Sequence, residues 1–238
     1  MRILITNDDS VNATQLLPLI KWCEKFGEVT TVVPLEQQSA KSHGIEIFNP
    51  FEVREVILDS ETTVLAVDST PADCVRYAVL GLEKPFDLVI SGINRGLNIG
   101  TDTLYSGTVA AVQEAAILGI PAIALSTSPE NYESVIQYLD RVCDYILQNK
   151  LLEKHSLYNI NIPSNPKEIL ITRLGGAYYS DSFIDIGDGR VQASGKCVYA
   201  DSGDLTLDTD AVMSGYISIT PITINMTDMD VFKKLNTK

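Results

Sequence analysis

Two adjacent carboxylates, Asp8 and Asp9, directly follow a short apolar run at residues 2–6. Like charges this close raise each other's pKa unless a cation or several hydrogen-bond donors compensate them. In the ordinary alternative, Asp9 caps the next helix and Asp8 faces solvent, because Asp is common at helix starts. Ser39 and Asn94 follow two other predicted strands, and with these neighbours a bound cation becomes the better interpretation.

The candidate ligands all offer oxygen atoms: two carboxylates, a hydroxyl and an amide. Such a set favours a hard cation, Mg²⁺ or Mn²⁺, over zinc. The chain has two histidines, His43 and His155, which are too few for a histidine-rich metal centre. His43 is nearer the proposed site and is a candidate proton donor, whereas we expect His155 to be an ordinary surface residue.

A second group of candidate residues lies in the glycine-rich stretch of residues 87–118, between a predicted strand and a predicted helix. A loop this long inside a compact domain usually serves a function. At its end, Ser106-Gly107-Thr108 opens a helix whose free N–H groups are able to hold a phosphate. A helix cap is the commoner role of Ser and Thr there, and the glycines are equally compatible with simple turns.

Several well-known nucleotide sites are excluded by their motifs. Residues 7–16 contain no glycine, so the first strand is not followed by a dinucleotide-binding fingerprint. The loop GLNIGTDT lacks the lysine of a P-loop. The chain has no GxSxG nucleophile elbow either.

The amino-acid composition limits which binding partners and which cellular compartment we expect for the protein. The 238 residues carry 18 basic and 31 acidic side chains, a net charge of −13, which disfavours binding to nucleic acid polymers or anionic membranes. We find no apolar run near the roughly 20 residues of a membrane span and no signal peptide. Four scattered cysteines are typical of buried, reduced thiols. We therefore expect a cytoplasmic protein.

The order of the predicted elements indicates an α/β fold, a Rossmann-like doubly wound and mostly parallel sheet. Strands are predicted at 2–6, 28–33, 63–67, 87–91 and 121–126, and helices at 16–27, 71–82, 108–118 and 132–148. In such sheets ligands bind at the carboxyl ends of the strands. Four of these ends are polar: 7–9, the Ser39 loop, 68–70 and 91–94.

The remaining segments are predicted mainly as strands. Residues 45–48 and 53–58 suggest a hairpin with Asn49-Pro50 as its turn. Further strands are expected at 158–163, 169–173 and 212–224, around a weakly patterned stretch at 181–210. We therefore divide the chain into a catalytic core, residues 1–155, and a β-rich C-terminal extension, residues 156–238.

Five segments of the chain together resemble the SurE family of stationary-phase survival proteins, which are metal-dependent nucleoside monophosphate phosphatases. They are ILITNDD, Gln38-Ser39-Ala40, DSTPADCV, SGINRGLNIGTDTLYSGTVAAVQEA and GYISITPI. The resemblance implies a Rossmann-like core, a C-terminal extension exchanged between subunits, and a homodimer or homotetramer.

The resemblance also implies the roles of single residues. One divalent cation per subunit is held by Asp8, Asp9, Ser39 and Asn94, and the phosphate site is lined by Asn98, Ser106 and Thr108. The chain departs from the family pattern after the two aspartates, where Ser10 replaces the usual glycine, and before the loop serine, where Gln37 and Gln38 replace residues that are often basic.

We therefore expect a phosphomonoesterase that hydrolyses nucleoside monophosphates to nucleoside and phosphate. Asp8 or Asp9 would orient the attacking water, while Asn98, Ser106, Thr108 and the N–H of Gly107 would stabilise charge on the transferring phosphoryl group. One alternative is an acid phosphatase that forms an aspartyl-phosphate at Asp8. Another is a non-catalytic, Mg²⁺-dependent nucleotide-binding or signalling module, although a receiver domain of that kind would be about half this length.

Overall fold

A computed structural model describes residues 1–236. Its strands are β1 (Arg2–Thr6), β2 (Glu28–Pro34), β3 (Val53–Ile57), β4 (Thr63–Val67), β5 (Leu88–Arg95), β6 (Ala122–Thr127), β7 (Leu157–Ile162), β8 (Ile169–Ile171), β9 (Tyr179–Gly187), β10 (Arg190–Cys197) and β11 (Ile217–Pro221). Its α-helices are α1 (Leu16–Cys23), α2 (Pro71–Arg76), α3 (Gly107–Ile117), α4 (Leu139–Gln148), α5 (Leu151–Lys154), α6 (Asp208–Met213) and α7 (Met229–Leu235).

Nine of these strands form one mixed sheet in the order β3-β4-β2-β1-β5-β6-β7-β11-β8. The six strands from β4 to β7 are parallel, which confirms the predicted α/β, mostly parallel fold. On one side of β1 the sheet continues with β2 and then β4, and on the other side with β5, β6 and then β7. The order therefore reverses between β1 and β5, and such a switch point is where doubly wound sheets bind ligands.

Helices cover both faces of the sheet, which explains why β1 is continuously apolar rather than alternating. Ile3 and Ile5 pack into one core cluster with residues of α1 such as Leu19. Leu4 points the other way, into a second cluster with residues of α2 and α3 such as Val112. The helices on the two faces thus hold β1 in place, so the residues at its carboxyl end have fixed positions.

Two segments differ from their sequence predictions near β3 and α4. β3 pairs with β4 across a turn at residues 58–62, where the Asp59 carboxylate accepts the N–H of Thr62 at 2.6 Å. Residues 45–48 are not a strand, because the N–H of Glu46 donates to Asp73 instead of a neighbouring strand. The predicted helix 132–148 is α-helical only from Leu139, and Pro129–Tyr138 is a 3₁₀ segment.

The C-terminal region also differs from its prediction. Residues 212 and 213 end helix α6 rather than beginning a strand, and Gly215 (φ +86°) follows as the stop. The weakly patterned stretch contains the antiparallel hairpin β9–β10. Asp188 and Gly189 both have positive φ there, as a tight hairpin turn requires.

The main sheet continues past residue 155, because β7, β11 and β8 extend it without a break. The hairpin β9–β10 forms a separate two-stranded sheet with exposed apolar side chains, among them Phe183, which is 73% exposed. The division of the chain at residue 155 and the exchange of the extension between subunits stay predictions.

The four cysteines are free, but only two of them are buried. Cys23 and Cys74 lie in the core, Cys143 is half-buried and Cys197 is exposed on β10, so the expectation of four buried thiols was wrong. Within residues 1–236, no helix combines the length and apolar character needed to cross a bilayer.

Candidate active site

Asp8 lies at the carboxyl end of β1, where it meets the N-terminus of α3. Its side chain is buried, with 3% exposure, and its carboxylate accepts hydrogen bonds from the hydroxyl and the backbone N–H of Thr108. A Cβ at Gly107 would stand 2.9 Å from the Cβ of Asp8. A glycine is therefore required at this position for the helix start to approach the carboxylate.

The buried position makes the charged form of Asp8 costly. The pKa of Asp8 is raised to about 6, chiefly by burial and also by the neighbouring charge of Asp9, although the hydrogen bonds from Thr108 act in the opposite direction. The partial positive charge at a helix N-terminus offsets only part of this cost. The site is thus short of positive charge at the two adjacent carboxylates.

Asp9 connects the end of β1 to the end of β5. Its Oδ2 accepts the backbone N–H of Arg95 at 2.8 Å, and partial burial raises its pKa. The alternative role of Asp9 as a helix cap is wrong, because α1 begins at Leu16 and has Gln15 at the capping position. Among the described residues, none donates a hydrogen bond to the second oxygen, Oδ1.

Asn94 lies beside this contact, near the end of β5. Its side-chain NH₂ donates to the backbone oxygen of Gly96 at 2.9 Å, so the side-chain carbonyl oxygen is the atom available to a cation. The pairing of β5 with β6 shifts register between Ser91 and Asn94. Bulges of this kind commonly redirect a side chain next to a functional site.

Ser39 belongs to the loop that follows β2. This loop lies against the backbone of Asp8. The N–H of Gln38 donates to the backbone oxygen of Asp8 at 2.8 Å, while the exposed Ser39 hydroxyl accepts from the side chain of Gln37 at 3.0 Å. Three strand ends thus meet at one edge of the sheet, and the role of their side chains as metal ligands stays a prediction.

The donor set fits a hard cation. Among the described residues 1–236, no group of three or more His, Cys, Asp or Glu side chains is placed to hold a metal. A cation at this edge would therefore depend on the hydroxyl of Ser39 and the amide oxygen of Asn94 as well as the two carboxylates. Oxygen ligands of this mixed kind suit Mg²⁺ or Mn²⁺.

Ser10 shapes the turn that follows the two aspartates. It has φ +76°, a left-handed conformation that favours glycine. The side-chain NH₂ of Asn7 donates to the backbone oxygen of Ser10 at 2.9 Å and closes this turn. The serine therefore takes the backbone shape for which the resembled family usually has glycine.

On the phosphate side, Ser106 caps α3. Its buried Oγ accepts the N–H of Val109 at 3.1 Å, so the ordinary capping role is present. The hydroxyl proton is still free to be donated, because capping uses only a lone pair. Thr108, in contrast, donates its proton to Asp8, which makes it a positioning partner of that carboxylate.

Asn98 occupies the segment of residues 96–106, which we call the glycine loop. Its side-chain NH₂ donates to the Ser126 hydroxyl at 2.8 Å, and it is buried. Its backbone is held by two side chains of β7, Asn159 and Asn161. Neither asparagine was predicted from the sequence, although two asparagines that alternate with isoleucine in an apolar strand are an available signal.

Asp208, at the start of α6, is a third residue that the sequence did not suggest. Its carboxylate accepts the N–H of Gly100 at 3.0 Å and that of Gly175 at 2.7 Å, and it is fully buried. Burial raises the pKa of Asp208. A Cβ at Gly100 would lie 1.9 Å from the backbone oxygen of Gly176, so the glycine loop packs directly on the C-terminal region.

His43 has a partner that the sequence did not suggest. Its Nε2 lies 2.8 Å from the Glu114 carboxylate on α3, which also accepts from Arg76 at 3.0 Å. These contacts lower the pKa of Glu114, His43 contributing most. Glu114 is nearly two helical turns beyond Thr108, so His43 anchors the Ser39 loop to α3. His155 is half-buried, its ring nitrogen 2.6 Å from the backbone oxygen of Ile222.

Comparisons with known proteins show which sequences and structures this chain is similar to. A family model described as survival protein SurE matches residues 3–181. The protein named 5′-nucleotidase SurE from Carboxydothermus hydrogenoformans is 41% identical, over 100% of this chain and 96% of its own length. Its counterpart from Thermoanaerobacter sp. (strain X514) is 40% identical, over 99% and 97%. The crystal structure of the SurE protein from Aquifex aeolicus superposes with a TM-score of 0.77 at 32% identity, covering 99% of this chain and 98% of that one.

Proposed function

Because the chain belongs to the SurE family, we propose that it hydrolyses nucleoside monophosphates to nucleoside and phosphate with the help of one divalent cation, Mg²⁺ or Mn²⁺. Relatives about 40% identical over nearly their whole length carry the name 5′-nucleotidase. This chain is accordingly an enzyme of the 5′-nucleotidase class. The metal, the substrate and the roles of single residues are our proposal.

One observation carries the proposal: Asp8 is enclosed between the carboxylate of Asp9 and the N-terminus of α3 at the switch point of the sheet. A cation beside the two carboxylates would offset their charge. An anion beside the helix start would face free N–H groups. A phosphate ester bound between that cation and the start of α3 would satisfy both halves of the site.

Asp8, Asp9, Ser39 and Asn94 would hold the cation. When bound, it supplies Lewis-acid stabilisation of a phosphate oxygen and lowers the pKa of a nearby water. The protein must then fix the ligands, and it does so by tying Asp8 to Thr108 and Asp9 to the N–H of Arg95.

The protein side chains orient water and phosphate. Asp9 would orient the attacking water as well as hold the cation, because within residues 1–236 its carboxylate accepts a hydrogen bond only at Oδ2, from the N–H of Arg95. The Ser106 hydroxyl and the N–H of Gly107 would donate to the phosphoryl oxygens. Asn98 would line the phosphate site beside them. Donors aimed in advance at developing charge are usually the largest contribution to such catalysis.

The two alternative mechanisms receive less support. An aspartyl-phosphate at Asp8 would normally be assisted by a lysine at a later strand end, and residues 128–131, which follow β6, contain no lysine. A non-catalytic nucleotide-binding module is disfavoured by the enzymatic names of the close relatives.

We further propose a cytoplasmic homodimer or homotetramer. The exposed apolar side chains of the β9–β10 hairpin, including Phe183, Ile184 and Val191, are a surface that another subunit would cover if the extension is exchanged. The net charge of −13 disfavours nucleic acid polymers as partners. Light scattering tests the assembly, and a monomer would refute it.

Hydrolysis of AMP, GMP and p-nitrophenyl phosphate with Mn²⁺ or Mg²⁺, before and after chelation by EDTA, tests the proposed function. We expect phosphate release that stops with EDTA and returns on adding metal. Release that EDTA leaves unchanged would refute the metal-dependent mechanism. Tight nucleotide binding without phosphate release would favour the non-catalytic module.

A further inference from the structure

We infer that Asn159 and Asn161, on β7, are positioning residues that hold the glycine loop in its active geometry. The inference rests on the proposed function, because the loop matters only if the site binds a phosphoryl group. Neither side chain can touch a substrate, since both are fully buried. They would act through Asn98.

Together the two side chains saturate the backbone of Asn98. Asn161 accepts the N–H of Asn98 at 2.8 Å and donates to its carbonyl oxygen at 2.9 Å. Asn159 donates to the same carbonyl oxygen at 2.7 Å. A single side-chain amide that engages both backbone groups of one residue fixes the position and the orientation of that residue.

These contacts lower the stability that β7 would otherwise contribute, because they place polar side chains in the interior. Residues two apart in a strand face the same side of the sheet, so Asn159 and Asn161 place two amides side by side in the interior. Within residues 1–236, the Oδ1 of Asn159 is buried and has no hydrogen-bond partner, and an unpaired buried polar atom lowers stability. Apolar side chains here would avoid the cost but would leave Asn98 unheld.

Immobilising Asn98 has consequences along the rest of the glycine loop. The same residue directs its own side chain to Ser126, and the next turn is held by Asp208 at Gly100. From there the loop runs to Ser106, where α3 begins against Asp8. The asparagine pair therefore sets where the start of α3 stands relative to the carboxylates.

The test compares Asn161→Ala and Asn159→Ala with a matched control, Asn131→Ala. Asn131 is also a buried asparagine, but its side chain bonds within residues 127–134 and to Pro163. Each full-length variant would be measured for AMP hydrolysis with Mn²⁺, with rates expressed per folded protein from circular dichroism. Hydrogen exchange of the glycine-loop amides would be followed by mass spectrometry.

We expect Asn161→Ala to lower kcat by about 10- to 100-fold, because small misplacements of catalytic groups have effects of that size. KM should change less than kcat, and exchange of the glycine loop should accelerate. Asn159→Ala should change kcat and loop exchange in the same direction by a smaller amount. If Asn161→Ala does not fold, Asn159→Ala alone tests the inference. Asn131→Ala should keep the kcat and loop exchange of the wild type, even if its melting temperature falls.

Wild-type kcat and loop exchange in both β7 variants would overturn the inference, as would equal losses in Asn131→Ala. A wild-type protein that does not hydrolyse AMP would refute the proposed function instead. The two failures are therefore distinguishable.

Discussion

The hydroxyl of Thr108 donates a hydrogen bond to the carboxylate of Asp8, although 100 positions separate the two residues in the chain. This contact joins the proposed metal side of the site to the proposed phosphate side. Asp8 ends the central strand, and Thr108 lies in the first turn of α3. The two halves of the site therefore cannot shift independently.

Thr108→Val should impair catalysis without unfolding the protein. Valine keeps the shape of the side chain but removes the donor to Asp8. We expect kcat to fall about 100-fold, because a small displacement of a catalytic group has an effect of that size, and Mn²⁺ binding measured by calorimetry to weaken. Thr172→Val is the control, because Thr172 is equally buried and bonds Thr220 away from the site. Equal kcat values in the two variants would contradict the role of Thr108.

Gly107→Ala should displace Asp8. The added methyl group would lie 2.9 Å from the Cβ of Asp8 and 3.1 Å from its Oδ2, closer than van der Waals contact allows. We expect activity to be lost while circular dichroism is retained.

Gly119→Ala, beyond the other end of α3, separates stability from activity. Its methyl group meets no atom within 4 Å, but φ is +78°, so the variant should lose about 1–2 kcal/mol of stability and keep the wild-type kcat. Full activity of Gly107→Ala would show that Asp8 tolerates displacement.

Ser106 variants separate helix capping from phosphate binding. Ser106→Ala should lose about 1 kcal/mol of stability with the cap and roughly 3–4 kcal/mol of transition-state stabilisation with the donor. Ser106→Asn should restore the cap and hence the melting temperature. If asparagine also restores kcat/KM for AMP, the hydroxyl has no catalytic role.

Glu114 should make stability depend on pH in the acid range. The contacts with His43 and Arg76 lower the pKa of Glu114 below its ordinary value of 4.5. Its stabilising effect is therefore fully present above pH 4.5 and is lost as the pH falls through the lower, folded-state pKa. Melting temperatures between pH 3 and 7 should fall less steeply in Glu114→Gln than in the wild type. Parallel curves would contradict the prediction.

Ser10→Gly should stabilise the protein. The left-handed backbone at Ser10 costs a non-glycine residue about 1–2 kcal/mol, while the added flexibility of glycine in the unfolded chain returns roughly 0.5–1 kcal/mol of this. We expect a net gain of up to about 1.5 kcal/mol in the free energy of unfolding measured with urea. Ser10→Val should be destabilised by more than 1 kcal/mol, because a branched side chain suits this conformation least.

Much of the core was predictable because its elements are strongly patterned. The apolar runs of β1, β2 and β6 and the amphipathic α1 were placed within a few residues. The strand ends then gathered Asp8, Asp9 and Asn94 at one edge, since parallel strands end together.

What could not be predicted depends on long-range contacts. Residues 45–48 look like a strand, yet the N–H of Glu46 donates to Asp73 of α2. The helix predicted from Tyr132 begins at Leu139 because the preceding segment follows 3₁₀ geometry. Asn159, Asn161 and Asp208 were missed because their partners lie 61 to 108 positions away.

The bond between Asp208 and Gly100 bears on how the enzyme matures during translation. Residues 1–155 include the two aspartates, the glycine loop and α3, but a ribosome must add more than fifty further residues before the carboxylate that holds Gly100 emerges. A nascent chain stalled earlier would carry every residue proposed for the site and still lack the carboxylate that holds the loop at Gly100. The loop therefore takes its folded shape only after Asp208 has been synthesised.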